Sequence, residues 1–130
     1  MKKRILRRAV DLAIEKLPLH PEYLHFPHFC FIVEDNGIIA WATNTRMEPP
    51  LHYGYHRPWD SGYRPKYHAE VMAYRKAMPK PGFEIVNVRL NRLGHIKLSK
   101  PCVPCCRLLA RLGCRKAYFS SEAGFLAMQL

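Results

Sequence analysis

Four residues in two short segments carry the side chains of a metal-dependent hydrolytic site. The segment His68-Ala69-Glu70 supplies an imidazole and a carboxylate, and the segment 101–105 (Pro-Cys-Val-Pro-Cys) supplies two thiols. Histidine nitrogen and cysteine sulfur are zinc ligands, and three protein ligands leave a fourth position open for water, as catalytic zinc sites do. The sequence therefore predicts Zn²⁺ bound by His68, Cys102 and Cys105, with Glu70 moving protons instead of binding the metal.

The spacing predicts that each of the two segments begins a helix. Residues 66–78 follow a helical pattern that Pro79 ends, and a second helix is expected from about Cys102 to Leu112, with Gly113 after it. A helix N-terminus favours the thiolate, which is the form of cysteine that binds metal. Two converging helix N-termini would place the three ligands around one ion.

The other three cysteines are not predicted to be ligands. Cys106 directly follows a predicted ligand and points about 100° away from it on a helix, so we expect it beside the site or in the core. Cys30 and Cys114 are expected in the core, where free cysteine behaves as a small apolar residue.

The pattern H-x-E followed by P-C-x-x-C resembles the signature of the zinc-dependent cytidine/deoxycytidylate deaminase superfamily, in which the glutamate is a general acid/base. Every fixed position of the signature is present, and the resemblance covers roughly residues 28–130. It implies that Glu70 is catalytic and that the backbone at Ala69 contacts the base. It also implies that Asn44, at the end of the second strand, helps to hold the sugar or base, although Ala42 stands where the family often has glycine.

The resemblance further implies an α/β fold, a three-layer α-β-α sandwich with a mixed central sheet of about five strands. The residue pattern predicts a single domain over residues 1–130, with an amphipathic helix at 2–17 and a hairpin turn over Glu34-Asp35-Asn36-Gly37, where Asn-Gly is the turn signal. The last two strands are expected to form an antiparallel hairpin because their connection is short, with a C-terminal helix over 122–130 as the alternative. The expected strands are 30–33, 38–43, 83–90, 116–121 and 125–130.

Composition limits the class of protein and its partners. The chain has 130 residues, 48% hydrophobic content, five cysteines and a formal net charge of +11. No apolar run is long enough for a membrane span, and acidic residues interrupt the segment after the basic N-terminus, so no secretory signal is expected. We expect a reducing, cytoplasmic setting. The positive charge favours an anionic partner, either nucleic acid or a nucleotide phosphate.

A long irregular stretch, residues 45–67, leads directly into His68 and is rich in proline, aromatic and basic residues. Aromatic rings interleaved with cations stack nucleobases and hold phosphates. The alternative is a surface loop packed by its own aromatic side chains. The predicted substrate contacts in this stretch are Tyr53, Tyr55, Trp59, Tyr63, Arg57 and Arg64.

The favoured hypothesis for function is hydrolytic conversion of cytosine to uracil in single-stranded DNA or RNA, because the charge and the aromatic stretch accompany a nucleobase-type site. The alternative substrate is free (deoxy)cytidine or deoxycytidine monophosphate. Two further alternatives are an adenine deaminase and a non-catalytic, zinc-stabilised nucleic-acid-binding module. Glu70 argues against the last of these, because a structural zinc site has no use for a carboxylate at that position.

Overall fold

The computed structural model describes residues 1–17, 27–44 and 68–130. These residues form three helices and six strands in an α/β arrangement. In chain order the elements are α1 (Lys3–Lys16), β1 (His28–Glu34), β2 (Gly37–Thr43), α2 (Ala69–Ala77), β3 (Glu84–Leu90), β4 (Ile96–Lys97), α3 (Val103–Arg111), β5 (Lys116–Ser121) and β6 (Gly124–Gln129).

The strands form one mixed sheet in the order β2-β1-β3-β5-β6, with β4 paired to β3 outside this path. The β3–β5 pair is parallel because α3 carries the chain back across the sheet, and the other pairs are antiparallel. The predicted terminal hairpin is confirmed as β5–β6, so the alternative of a C-terminal helix is wrong. The sheet has one strand more than expected, since the two residues of β4 are too few to produce a strand pattern in the sequence.

The predicted three-layer architecture is confirmed by the way in which the sheet residues alternate. On one face, β1 and β3 pack Phe29, Phe31 and Val86 against α1. On the other face, Cys30, Ile32 and Ile85 pack against α2 and α3. Successive residues of a strand point to opposite faces, so both faces of the sheet are buried, and β1 has a continuous apolar run between its two end residues. The residues of α1 that enter the core are Ile5, Ala9 and Ala13.

Two of the predicted ligands lie just before the first residue of a helix instead of within it. His68 is the N-cap of α2 and Cys102 is the N-cap of α3, each with extended backbone. The helix expected over 66–78 therefore starts at Ala69, and residues 66 and 67 lie outside the described residues. N-cap residues precede the helix and project beyond its first turn. This position lets both side chains reach the space between the two helices.

The β1–β2 hairpin has the tight turn that the sequence predicts. Asp35 and Asn36 have φ values of 52° and 63°, and Gly37 is the first residue of β2. A two-residue turn whose backbone matches the right-handed twist of the two strands needs positive φ at both central residues. Asp and Asn adopt positive φ more readily than most other residues with a side chain. Among the helices that the structure describes, none is long and apolar enough to cross a membrane.

Candidate metal and catalytic site

The three predicted zinc ligands lie together at the N-termini of α2 and α3. His68 Nδ1 lies 3.1 Å from Cys105 Sγ and 3.5 Å from Cys102 Sγ, and the three ligand atoms are all within 4.8 Å of one another. Tetrahedral zinc with its usual bond lengths to nitrogen and sulfur separates such ligand atoms by about 3.6 Å. The donor set and its spacing therefore fit zinc. Within the described residues the group has three members, which leaves a fourth position for water.

The electrostatics of the group also favour metal binding. The pKa of Cys102 is lowered to about 5, chiefly by the hydrogen bond from the Cys105 thiol and further by the contact with His68, against the opposing effect of desolvation. Cys102 is exposed and Cys105 is buried. A thiol with so low a pKa is a thiolate at neutral pH, which is the state required of a zinc ligand.

The carboxylate of Glu70 is buried next to the ligand group, with the residue 3% exposed. Asn87 donates a hydrogen bond from Nδ2 to Glu70 Oε2 over 2.9 Å, and His28 Nε2 lies 3.8 Å from the same oxygen. The pKa of His28 is lowered, first by burial, although the nearby Glu70 carboxylate opposes this shift. The Glu70 carboxylate is thus held by the neutral amide of Asn87 and lies near His28, whose protonated form is disfavoured by burial.

Three polar residues lie side by side on neighbouring strands at one end of the sheet, near the N-termini of α2 and α3. His28 pairs with Arg89 across β1 and β3. On its other side, the His28 backbone N–H donates to Asn44 Oδ1 and the Asn44 N–H donates to the His28 carbonyl, each over 3.2 Å. Asn44, His28 and Arg89 are each two positions along the chain from Ala42, Cys30 and Asn87, which pair with one another in the core. The two sets therefore lie on the same face of the sheet.

A second network fixes the segment that carries Cys102. The Ser99 hydroxyl donates to the Asn87 carbonyl over 2.9 Å, and Asn87 Nδ2 donates in return to the Ser99 carbonyl over 3.2 Å. The Ser120 N–H donates to Ser99 Oγ over 2.7 Å. Ser99 is three residues before Cys102, so the same asparagine holds both the carboxylate of Glu70 and the chain entering α3.

These groups surround an open cavity of about 200 Å³. Five of the predicted site residues line this cavity. They are Asn44, His68, Ala69, Glu70 and Cys102. The Asn44 side-chain oxygen accepts a hydrogen bond from the His28 N–H, which gives this residue a structural role, and its contact with the substrate stays a prediction. The lining residues are His28, Asn44, His68, Ala69, Glu70, Arg89, Lys100 and Cys102.

The predicted contacts from residues 45–67 cannot be placed in this cavity. Tyr53, Tyr55, Trp59, Tyr63, Arg57 and Arg64 lie outside the described residues. The three remaining cysteines are where the sequence placed them: Cys30 and Cys114 are buried, and Cys106 is half-buried with its thiol donating to the Pro101 carbonyl over 3.6 Å.

Sequence reasoning missed four polar residues of the site, namely His28, Asn87, Arg89 and Lys100. For two of them a signal was present. Asn87 and Arg89 occupy alternate positions of β3, on the same face as the core residue Ile85. A polar side chain at an inward position of an apolar strand needs a buried partner, so such residues indicate a site or a network.

The comparisons with known proteins identify the fold. No family model and no curated protein matches the sequence. Among solved structures, the cytidine deaminase from Burkholderia pseudomallei matches 99% of this chain and 93% of its own, with 19% identity and a TM-score of 0.66. The dCMP deaminase from the cyanophage S-TIM5 matches 93% of this chain and 86% of its own, with 19% identity and a TM-score of 0.56. For the cytidine deaminase from Mycobacterium leprae the shares are 96% and 91%, the identity 15% and the TM-score 0.54.

The described chain therefore has the fold of the cytidine deaminases. The resemblance inferred from the H-x-E and P-C-x-x-C pattern is confirmed at this level, because the fold of these structures and a His/Cys/Cys group that fits zinc occur in one chain.

Proposed function

We propose that this protein is a zinc-dependent hydrolytic deaminase that converts cytosine to uracil. One observation carries the proposal. The carboxylate of Glu70 is buried, fixed by Asn87, and lines the same open cavity as two members of the His/Cys/Cys group. A structural zinc site needs four ligands and excludes solvent, whereas within the described residues this group offers three protein ligands and borders a cavity.

The reaction adds water at C4 of the base and releases ammonia, so that cytosine becomes uracil. Zinc held by His68, Cys102 and Cys105 would supply a Lewis acid that lowers the pKa of the attacking water. Glu70 accepts a proton from this water, donates one to the ring nitrogen N3 and then passes one to the leaving amine. The hydrogen bond from Asn87 goes to Oε2 of Glu70, and we assign these transfers to the other oxygen, Oε1.

Two substrate classes fit this site, and a different observation supports each. The net charge of +11 supports cytosine in single-stranded nucleic acid, the favoured substrate, since a polymer can contact cations far from the cavity. The names of the similar structures, a cytidine and a dCMP deaminase, support a free nucleoside or nucleotide. The basic start of α1 does not discriminate, because α1 covers the sheet face opposite α2 and α3. Its cations are Lys2, Lys3, Arg4, Arg7 and Arg8.

The test is to assay single-stranded cytosine oligonucleotides and deoxycytidine monophosphate in parallel, at several salt concentrations. Uracil formation in either substrate supports a cytosine deaminase, and steep loss of oligonucleotide binding with salt supports the polymer. Zinc bound with neither substrate converted would contradict the proposal and would direct the next assay to adenine.

The matched variants are Glu70→Ala and Glu122→Ala. Glu122 is an exposed glutamate whose carboxylate bonds Lys97. We expect Glu70→Ala to keep zinc and to lose activity by about 10²- to 10⁴-fold, as expected for removal of a general acid/base. Glu122→Ala should behave as the parent protein. A Glu70→Ala protein that retains substantial activity would show that another group moves the protons.

A further inference from the structure

His28 places a ring nitrogen beside the buried carboxylate of Glu70. It is the first residue of β1 and lies two positions before Cys30, so its side chain is on the face of the sheet that carries α2 and α3. Its Nε2 lies 3.8 Å from Glu70 Oε2, and its side chain is 15% exposed. The backbone of His28 is held on both sides, by its register with Arg89 and by two hydrogen bonds with Asn44. The ring is therefore attached to a rigid part of the sheet and lines the same cavity as Glu70.

The Nε2 atom of His28 is buried, and it has no hydrogen-bond partner among the described residues. A buried polar atom without a partner costs free energy, so such an atom in a native protein calls for an explanation. The acceptor that the structure places opposite this nitrogen is Glu70 Oε2. Their separation exceeds the usual upper limit for an N–H···O hydrogen bond by about 0.6 Å. Hydrogen bonds of catalytic groups are often long in the free enzyme and shorten when the substrate is bound.

The negative charge of Glu70 selects which ring nitrogen of His28 carries the proton. Neutral imidazole has one N–H, and a carboxylate accepts hydrogen bonds but donates none. With the proton on Nε2, the ring offers the carboxylate a donor, whereas with the proton on Nδ1 a lone pair would face the negative oxygen. Burial lowers the pKa of His28, although the Glu70 carboxylate opposes this shift, so the ring is a neutral donor.

We propose that His28 is a positioning residue whose Nε2–H donates a hydrogen bond to Glu70 Oε2 in the working enzyme, next to the donor from Asn87. The inference rests on the proposed function and deepens it. Asn87 cannot supply this second bond, because its two Nδ2 hydrogens go to Glu70 Oε2 and to the Ser99 carbonyl. Hydrogen bonds to a carboxylate oxygen favour its charged form, so two donors keep Oε2 unprotonated. The proton that Glu70 carries is then confined to Oε1, the oxygen to which we assign the transfers.

The first measurement is a kinetic comparison of His28 variants on the cytosine substrate that the parent protein converts. His28→Leu removes the donor at similar size, and His28→Gln keeps an N–H group. The control is His95→Ala, at an exposed histidine between β3 and β4. We expect His28→Leu to lower kcat about tenfold with little change in KM, His28→Gln to lower it less, and His95→Ala to change neither. Zinc analysis and thermal unfolding confirm that each variant is loaded and folded.

A double-mutant cycle tests whether His28 acts through Glu70. In the Glu70→Ala protein the carboxylate is absent, so His28→Leu should have no further effect on the residual kcat. A role of His28 that does not involve Glu70 would instead give the same loss in both backgrounds. An equal fold loss in the two backgrounds, an unchanged kcat in His28→Leu, or a loss that appears in KM alone would overturn the inference.

A spectroscopic measurement separates failure of this inference from failure of the proposed function. Heteronuclear NMR of the nitrogen-labelled, zinc-loaded parent protein shows which ring nitrogen of His28 carries the proton, and it requires no turnover. The spectrum of His28→Gln identifies the His28 signal among the seven histidines. If no cytosine substrate is converted, the proposed function fails, and the NMR spectrum still decides the hydrogen bond. A proton on Nε2, with an Nε2 signal that shifts in Glu70→Gln, supports the bond. A proton on Nδ1, or an Nε2 signal that Glu70→Gln leaves in place, overturns it.

Discussion

The side-chain amide of Asn87 donates a hydrogen bond to Glu70 Oε2 over 2.9 Å, and Asn87 is 0% exposed and Glu70 3% exposed. The two residues come from different elements, since Asn87 is on β3 and Glu70 in the first turn of α2. A carboxylate placed away from water needs donors, and an amide supplies one without adding a charge. Asn87 therefore sets the position of the carboxylate to which we assign the proton transfers.

Replacing Asn87 with alanine should lower kcat more than it changes KM. We expect kcat to fall about tenfold because Glu70 loses its fixed orientation, and stability to fall by about 1–3 kcal/mol because buried polar groups lose a partner. The control is Val88→Ala on the same strand, whose side chain faces α1 and also leaves a buried space. Urea unfolding and steady-state kinetics of both variants make the comparison. An equal kcat in the two variants would reduce Asn87 to a structural residue.

The second prediction concerns the ligand set. Cys102→Ser should lose zinc and stability together, because metal-binding free energy contributes to folding. Cys106→Ser should keep a full complement of zinc, since its thiol is directed to the Pro101 carbonyl. Metal analysis and thermal unfolding of the purified variants provide the test. A stable, fully metallated Cys102→Ser protein would remove Cys102 from the ligand set, and zinc loss in Cys106→Ser would add a ligand.

The third prediction concerns the thiolate. The pKa of Cys102 is about 5, so in zinc-free protein this residue is deprotonated throughout pH 6–8 and its alkylation rate should be nearly flat. A cysteine with an ordinary pKa would react about tenfold faster with each pH unit in this range. Burial raises the pKa of Cys114 to about 12, so it should not react. Mass spectrometry after timed iodoacetamide treatment measures both sites.

Zinc-loaded protein is the control for the alkylation experiment, because a metal-bound thiolate should be protected. Circular dichroism confirms that the zinc-free sample is folded. If the rate at Cys102 rises with pH as it does for a free thiol, then the contacts with Cys105 and His68 do not lower the pKa of Cys102.

The fourth prediction uses two glycines with the same backbone conformation. Gly82 and Gly113 have φ values of +95° and +94°, but a Cβ at Gly113 would lie 2.9 Å from Pro81 Cα whereas a Cβ at Gly82 would meet nothing within 4 Å. Both alanine variants carry the strain of positive φ, of about 1–3 kcal/mol. Gly113→Ala should lose a further amount of about 1–3 kcal/mol because of overpacking. Equal urea midpoints for Gly82→Ala and Gly113→Ala would show that Pro81 moves away from the new Cβ without a loss of stability.

The sequence by itself determined which four side chains form the candidate site. His68, Glu70, Cys102 and Cys105 were recognisable because helix caps and short spacings are local, and a local motif does not depend on the rest of the chain. The turn over residues 34–37 and the final hairpin were predictable for the same reason, since short connections leave few geometries open. The assignments of residues 45–67 and of the cytoplasmic setting stay predictions.

Only the tertiary structure decided which other residues join this site. His28 and Arg89 are 61 positions apart in the chain and become neighbours through the antiparallel register of β1 and β3. Asn87 reaches Glu70 because α2 packs on that face of the sheet, and Lys100 joins them because Ser99 is bonded to β3 and β5. Register and helix docking are set by burial of the whole core, which no local spacing encodes.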